Sequence, residues 1–128
     1  MNLLIVIPSY NSNDTLLELI TNLNDKYNLP ILIIDDGSDV EFSSDIQNVK
    51  ILRNKKNRGK GYSLLKGFQY ASSNGYSHAL TMDADLQHNY MEVANFLNID
   101  ISVDWVLGCR EKRKKMPILR RLSNKITS

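Results

Sequence analysis

Asp83 and Asp85 stand two positions apart in the stretch Leu80 to His88, followed by the carboxamide of Gln87 and the imidazole of His88. A mostly apolar run containing Ala79, Leu80 and Met82 leads up to them. If that run is a buried strand, it delivers both acids together at its C-terminal end. Two carboxylates about 4 Å apart repel by about 4 kcal/mol at an effective dielectric of about 20. A bound cation, a raised pKa or splaying into water can offset this. The spacing favours the cation, because oxygen donors from one turn suit a hard divalent ion such as Mg2+ or Mn2+.

Two more clusters carry chemistry. In Asp35-Asp36-Gly37-Ser38, Asp35 is expected to close a turn by accepting backbone N–H groups, since Asp, Gly and Ser are turn residues. Asp36 is the functional candidate, an acceptor for a base N–H or for ribose hydroxyls. Asn57-Arg58-Gly59-Lys60-Gly61 opens a helix and offers N–H groups, the positive end of a helix dipole, and two cations for a diphosphate. The same loop also reads as a plain helix entry. It is neither a Walker A loop nor a dinucleotide loop after a first strand. His78 and His88 lack the neighbours of a zinc site. Cys109 has no evident His partner and reads as a buried thiol.

The elements that must position these groups alternate. Leu3 to Ile7 is a short apolar run stopped by Pro8, as in a strand buried on both faces. Leu16, Leu17, Ile20, Leu23 and Tyr27 recur at helical spacing, with Asn13 as N-cap. Ile31 to Ile34 is a second buried strand, so the first 35 residues or so form a βαβ unit. Residues 40–48 read as a loop or a weak helical turn, and Val49 to Leu52 as a short strand. Leu64, Leu65, Phe68 and Ala71 suggest one helical face, ended by Asn74-Gly75, and His78 to Met82 is the strand leading to Asp83. Beyond it come a helical stripe over residues 90–98, a strand over Val103 to Gly108 with Trp105 packed on the sheet, and a terminal helix with Ile118, Leu119, Leu122 and Ile126 on one face. The expected architecture is α/β with a mainly parallel sheet, and the polar clusters fall at the C-terminal strand ends, where open α/β sheets bind ligands.

Bulk properties narrow the class. A chain of 128 residues is one domain by length, and its single cysteine excludes an internal disulfide framework and fits a reducing compartment. There is no basic n-region before an apolar core, and no apolar run approaches the roughly 18 residues of a membrane span. Residues 1–109 hold 8 Lys and Arg against 13 Asp and Glu, while residues 110–128 hold 8 against 1. That basic segment reads either as a contact for an anionic partner or as a solvated end.

Together, Ile-Pro-Ser-Tyr-Asn (7–11), Ile-Asp-Asp-Gly-Ser (34–38), Asn-Arg-Gly-Lys-Gly (57–61) and Met-Asp-Ala-Asp-Leu-Gln-His (82–88) resemble family-two glycosyltransferases of the GT-A, Rossmann-like fold. The similarity runs across essentially the whole chain and looks nearest to transferases that use polyprenyl (dolichyl-type) phosphates. It implies that Pro8, Tyr10 and Asn11 line a nucleobase pocket, with Asp36 on the base or ribose and Gly59 and Lys60 on the diphosphate. It implies that Asp83, Asp85 and Gln87 hold Mg2+ or Mn2+, with Asp85 in a catalytic role. Arg110 and Arg120 resemble arginines that grip the acceptor phosphate, a task suited to a planar guanidinium.

The implied donor is a UDP- or GDP-linked sugar, and the implied acceptor a lipid phosphate at a cytoplasmic membrane face, with no nucleic acid involved. Ser12 departs from the pattern, since an acid often follows the Tyr-Asn pair. The expected division is 1–109 as the nucleotide-sugar half and 110–128 as the start of the acceptor side of the same domain, truncated where such domains continue. Rival readings are a nucleotide-sugar-binding remnant without turnover, a transferase acting on a saccharide, and a phosphoacceptor receiver domain. The receiver carries its acid pair after the first strand rather than the second.

Overall fold

The computed structural model describes residues 2–84, 93, 105–108 and 119–122. Strand β1 (Leu3–Ser9) lies at the heart of a four-stranded sheet with β2 (Ile31–Asp35), β3 (Val49–Arg53) and β4 (His78–Thr81). The spatial order is β3-β2-β1-β4 and every pairing is parallel. Register aligns Ser9, Asp35 and Arg53 at one edge, so the polar ends of three strands meet there.

The alternation of side chains along a strand splits the core in two. Leu3, Ile5, Ile7, Ile31 and Ile33 pack with Leu16, Leu19, Ile20 and Leu23 of helix α1 (Asn13–Tyr27) on one face. Leu4, Val6, Leu32 and Ile34 pack with Phe68 and Ala71 of helix α2 (Lys60–Ser73) on the other. The result is a three-layer α/β/α unit, as the sequence implies.

Several details differ from expectation. Leu17 and Leu65 are exposed, and the buried stripes run through Leu19 in α1 and through Ser63, Gly67 and Phe68 in α2. The small residues are chosen by proximity: a Cβ added at Gly67 would stand 2.5 Å from Val6 Cγ1. Ser12 rather than Asn13 occupies the N-cap position of α1, without a side-chain capping bond, and its Oγ donates to Tyr10 O instead. The segment expected as a terminal helix supplies strand β6 (Leu119–Leu122), antiparallel to β5 (Trp105–Gly108) in a separate two-stranded sheet. A helical stripe this short has little stability of its own, and ladder pairing with β5 overrides it. That pairing also joins the 110–128 segment to the first 109 residues. The stripe over residues 90–98 lies outside the described residues apart from Val93, which is helical and buried.

Candidate functional site

The site is assembled at the C-terminal edge of the sheet. Its organiser is Asp36, which is 4% exposed and whose N–H donates to Ser9 O at 2.8 Å. Its Oδ1 accepts from Arg58 N–H and from Asn54 Nδ2, and its Oδ2 from Gly59 N–H, each at 2.8 Å. A carboxylate has about four acceptor positions, and three of them are filled inside the protein. The glycine-loop amides of Arg58 and Gly59 therefore face Asp36 and are not free for a phosphate. The amides of the next three residues, Lys60, Gly61 and Tyr62, precede the first helical bond, Ser63 N–H to Gly59 O.

Asp35 does close the turn. It is fully buried, accepts from Ser38 N–H and Phe42 N–H, and pairs with Arg53 Nη1 at 2.7 Å. Burial pushes this carboxyl up, but hydrogen bonds from Ser38, Phe42 and Arg53 outweigh it and hold the group below its ordinary value. Gly37, between the acids and Ser38, has φ +78°, and a Cβ there would lie 2.6 Å from the backbone carbonyl carbon of Lys56. The turn after β2 thus sits against the backbone of the β3–α2 loop, and only glycine permits that approach.

These contacts shape a cleft of about 300 Å³, lined by Pro8, Ser9, Tyr10, Asp36 and Gly59 with Lys60, Asp83 and Ala84 closing it. That volume lies at the lower end of small-molecule sites. Asp83 follows β4 and its carboxylate receives Lys60 Nζ at 2.6 Å, with the two side chains 17% and 61% exposed. The segment is tied down by Met82 N–H to Val6 O and by Thr15 Oγ1, which donates to Ala84 O at 2.7 Å. Ser9 Oγ, buried beside the cleft, has no hydrogen-bond partner among the described residues.

Of the residues singled out from sequence, Pro8, Tyr10, Asp36, Gly59, Lys60 and Asp83 converge on this cleft. Asn11 lies on the neighbouring depression with Asp39 and Val40. It serves the loop instead: its N–H donates to Ser38 Oγ and its Oδ1 accepts Asp39 N–H, both at 2.8 Å. Asp85, Gln87, His88 and Arg110 lie outside the described residues, and Arg120 is placed only as part of β6, opposite Leu107. Among the described residues no cluster of three or more His, Cys, Asp or Glu could hold a metal. Asp83 nonetheless fits one member of such a set, because an ammonium already stands on it as a cation would.

Sequence reasoning passed over Arg53, Asn54 and Ser63. Arg53 ends β3 in register with Asp35, a signal readable once the strands are aligned. Asn54 donates to both Asp36 and Ser63, and Lys66 Nζ donates to Asn54 Oδ1 at 2.8 Å. Ser63 begins a stripe of small residues with Gly67 and Ala71, four apart, which marks the helix face nearest the sheet.

Residues 4–126 match the sequence profile described as glycosyl transferase family 2. An uncharacterised protein of Methanocaldococcus jannaschii is 32% identical over 93% of this chain and 56% of its own length. The UDP-N-acetylglucosamine–dolichyl-phosphate N-acetylglucosaminyltransferase of Methanococcus voltae is 27% identical over 94% of this chain and 58% of its own. The dolichol-phosphate mannosyltransferase of Pyrococcus furiosus is 29% identical, over 98% and 39%. The chain thus spans about half the length of the curated relatives it matches.

Proposed function

Since the chain belongs to glycosyl transferase family 2, we propose that its cleft binds a nucleoside-diphosphate sugar and that the sugar passes to a polyprenyl phosphate. The observation that carries this reading is the convergence of Pro8, Tyr10, Lys60 and Asp83 on one cleft at the C-terminal strand edge. Tyr10, 46% exposed at the mouth, offers a ring face for a nucleobase. Ser9 Oγ offers a polar group in need of a partner. Lys60 and the open amides of the first turn of α2 offer charge and donors for a diphosphate. The donor nucleotide is UDP or GDP.

Asp83, with Asp85 and Gln87 following it in sequence, would hold Mg2+ or Mn2+. Such an ion, when bound, neutralises charge gathering on a leaving diphosphate. Lys60, released from Asp83, turns its ammonium toward that same diphosphate. Arg110 and Arg120 supply guanidinium groups for the acceptor phosphate. In the transfer, a phosphate oxygen of the acceptor forms a bond to the anomeric carbon as the bond from that carbon to the donor diphosphate breaks. The electron pair leaves with the nucleoside diphosphate, and in-line attack inverts the configuration. A lipid phosphate is already an anion, so the step needs positioning and charge compensation rather than a base that removes a hydroxyl proton. The names of the relatives support this acceptor class, since two of them carry dolichyl or dolichol phosphate.

The test is transfer of radiolabelled sugar from UDP- and GDP-sugars to polyprenyl phosphate in vesicles. The expected outcome is a lipid-linked product from wild type and none from Asp85→Ala. Nucleotide binding with no product, insensitive to Asp85→Ala, would favour the remnant reading.

A further inference from the structure

Charge in this chain is segregated by segment and by face. Residues 46–82 contain seven Lys and Arg and no Asp or Glu, whereas residues 1–45 contain eight Asp and Glu and a single cation, Lys26. Helix α1 and the turn after β2 belong to the acidic segment, strand β3 and helix α2 to the basic one. The two helices pack on opposite faces of the sheet, so the described residues are acidic on the α1 side and basic on the α2 side.

The basic side also presents apolar groups to solvent. Tyr62 and Leu65 are 43% and 53% exposed and lie three residues apart, one turn along α2. Arg58 lies over the Tyr62 ring, 4.5 Å from its centroid, and Lys55, Lys56 and Lys60 are exposed beside it on the loop and first turn. Leu17 and Val40 are exposed too, but in the acidic segment, which an anionic surface repels. Gly59 and Lys60 of the same loop line the cleft. The basic, aromatic surface is therefore continuous with the cleft's mouth.

We infer that the β3–α2 loop and the outer face of the first turns of α2 dock the protein on an anionic lipid surface. Lys55, Lys56 and Arg58 meet headgroups, Tyr62 and Leu65 enter the interface, and the cleft opens at the bilayer. An amphipathic ring at headgroup depth beside cations is the combination an interface selects. The acidic α1 side turns away from the bilayer, which fixes orientation as well as affinity. The inference rests on the reading of the acceptor as lipid-borne, because docking here brings a lipid phosphate to the donor site by diffusion within the membrane.

The experiment is sedimentation of the full chain with phosphatidylcholine vesicles, with and without phosphatidylglycerol, alongside nucleotide calorimetry. Wild type is expected to bind the anionic vesicles alone, with affinity falling as salt rises. Lys55→Glu with Lys56→Glu should lower that affinity by at least about tenfold, and Tyr62→Ser with Leu65→Ser by several-fold, each with thermal unfolding and nucleotide binding preserved. Lys55→Gln with Lys56→Gln is the milder pair should the reversed charges disturb folding. Equal binding to neutral vesicles overturns the inference. So does a loss seen only when Lys112 to Lys115 are replaced, or tighter binding to RNA through these same lysines. Failure of nucleotide binding with vesicle docking intact would overturn the donor-site reading instead.

Discussion

Asp83 has a cation in contact, Lys60 at 2.6 Å, and both the site's chemistry and its first test turn on that pair. A divalent ion bound at Asp83, as proposed, would have to displace the ammonium, so Lys60→Gln is expected to raise Mn2+ affinity without nucleotide by roughly two- to five-fold, the range of a half-exposed ion pair. The same variant should bind nucleoside diphosphate more weakly, and paramagnetic titration of Mn2+ together with calorimetry separates the two effects. Asp35 gives a second prediction. Its carboxyl is held below the ordinary 3.8, so an unfolded chain binds its proton more readily than the folded one. The stability it contributes is whole above about that value and is lost as pH falls through the lower folded value. Arg53→Met removes two charge-assisted hydrogen bonds, to Asp35 Oδ2 and to Ser38 O, and should cost at least about 1.5–3 kcal/mol at neutral pH. That loss should shrink in acid, as read by denaturant unfolding across pH.

The β3–α2 loop is held from two directions, by Asp36 gripping its amides and by Gly37 letting the neighbouring turn approach its backbone. Gly37→Ala forces a side chain into a left-handed backbone at about 1–2 kcal/mol and drives it against Lys56 and Asn57. The loop must move, so the variant should lose both thermal stability and nucleotide affinity. Gly67→Ala, whose Cβ would stand 2.5 Å from Cγ1 of the fully buried, β-branched Val6 and away from the loop, should lower stability while leaving nucleotide affinity of the folded protein unchanged. The strands and helices of this region were legible because their apolar periods are clean, as in Leu3 to Ile7 and in Leu16, Ile20 and Leu23. The duty of Asp36 was not, because a buried carboxylate and a ligand-binding one look alike until the loop that reaches it is placed. Leu65 misled for a related reason: hydrophobicity suggested burial, while the face that meets the sheet is decided by where Ser63 and Gly67 allow close packing.

At the scale of the molecule, an α/β/α unit gathers described residues from four separate sequence motifs onto one strand edge, and the topology β3-β2-β1-β4 does the gathering. This level was readable from sequence, since parallel strands joined by crossovers bring their C-terminal ends together whatever the loop details. The β5–β6 ladder was not, because strands of four residues leave little periodic trace. The opposition of an acidic α1 side and a basic α2 side likewise emerges only once the helices are assigned to faces. The central claim is that this edge holds a nucleoside diphosphate through a metal, and calorimetry with UDP and GDP, with and without Mn2+, tests it most directly. One nucleotide should bind at least roughly tenfold more tightly with Mn2+, about 1.4 kcal/mol, and Asp83→Ala should abolish the difference. Folded protein that binds neither nucleotide, whether or not Mn2+ is present, would contradict it.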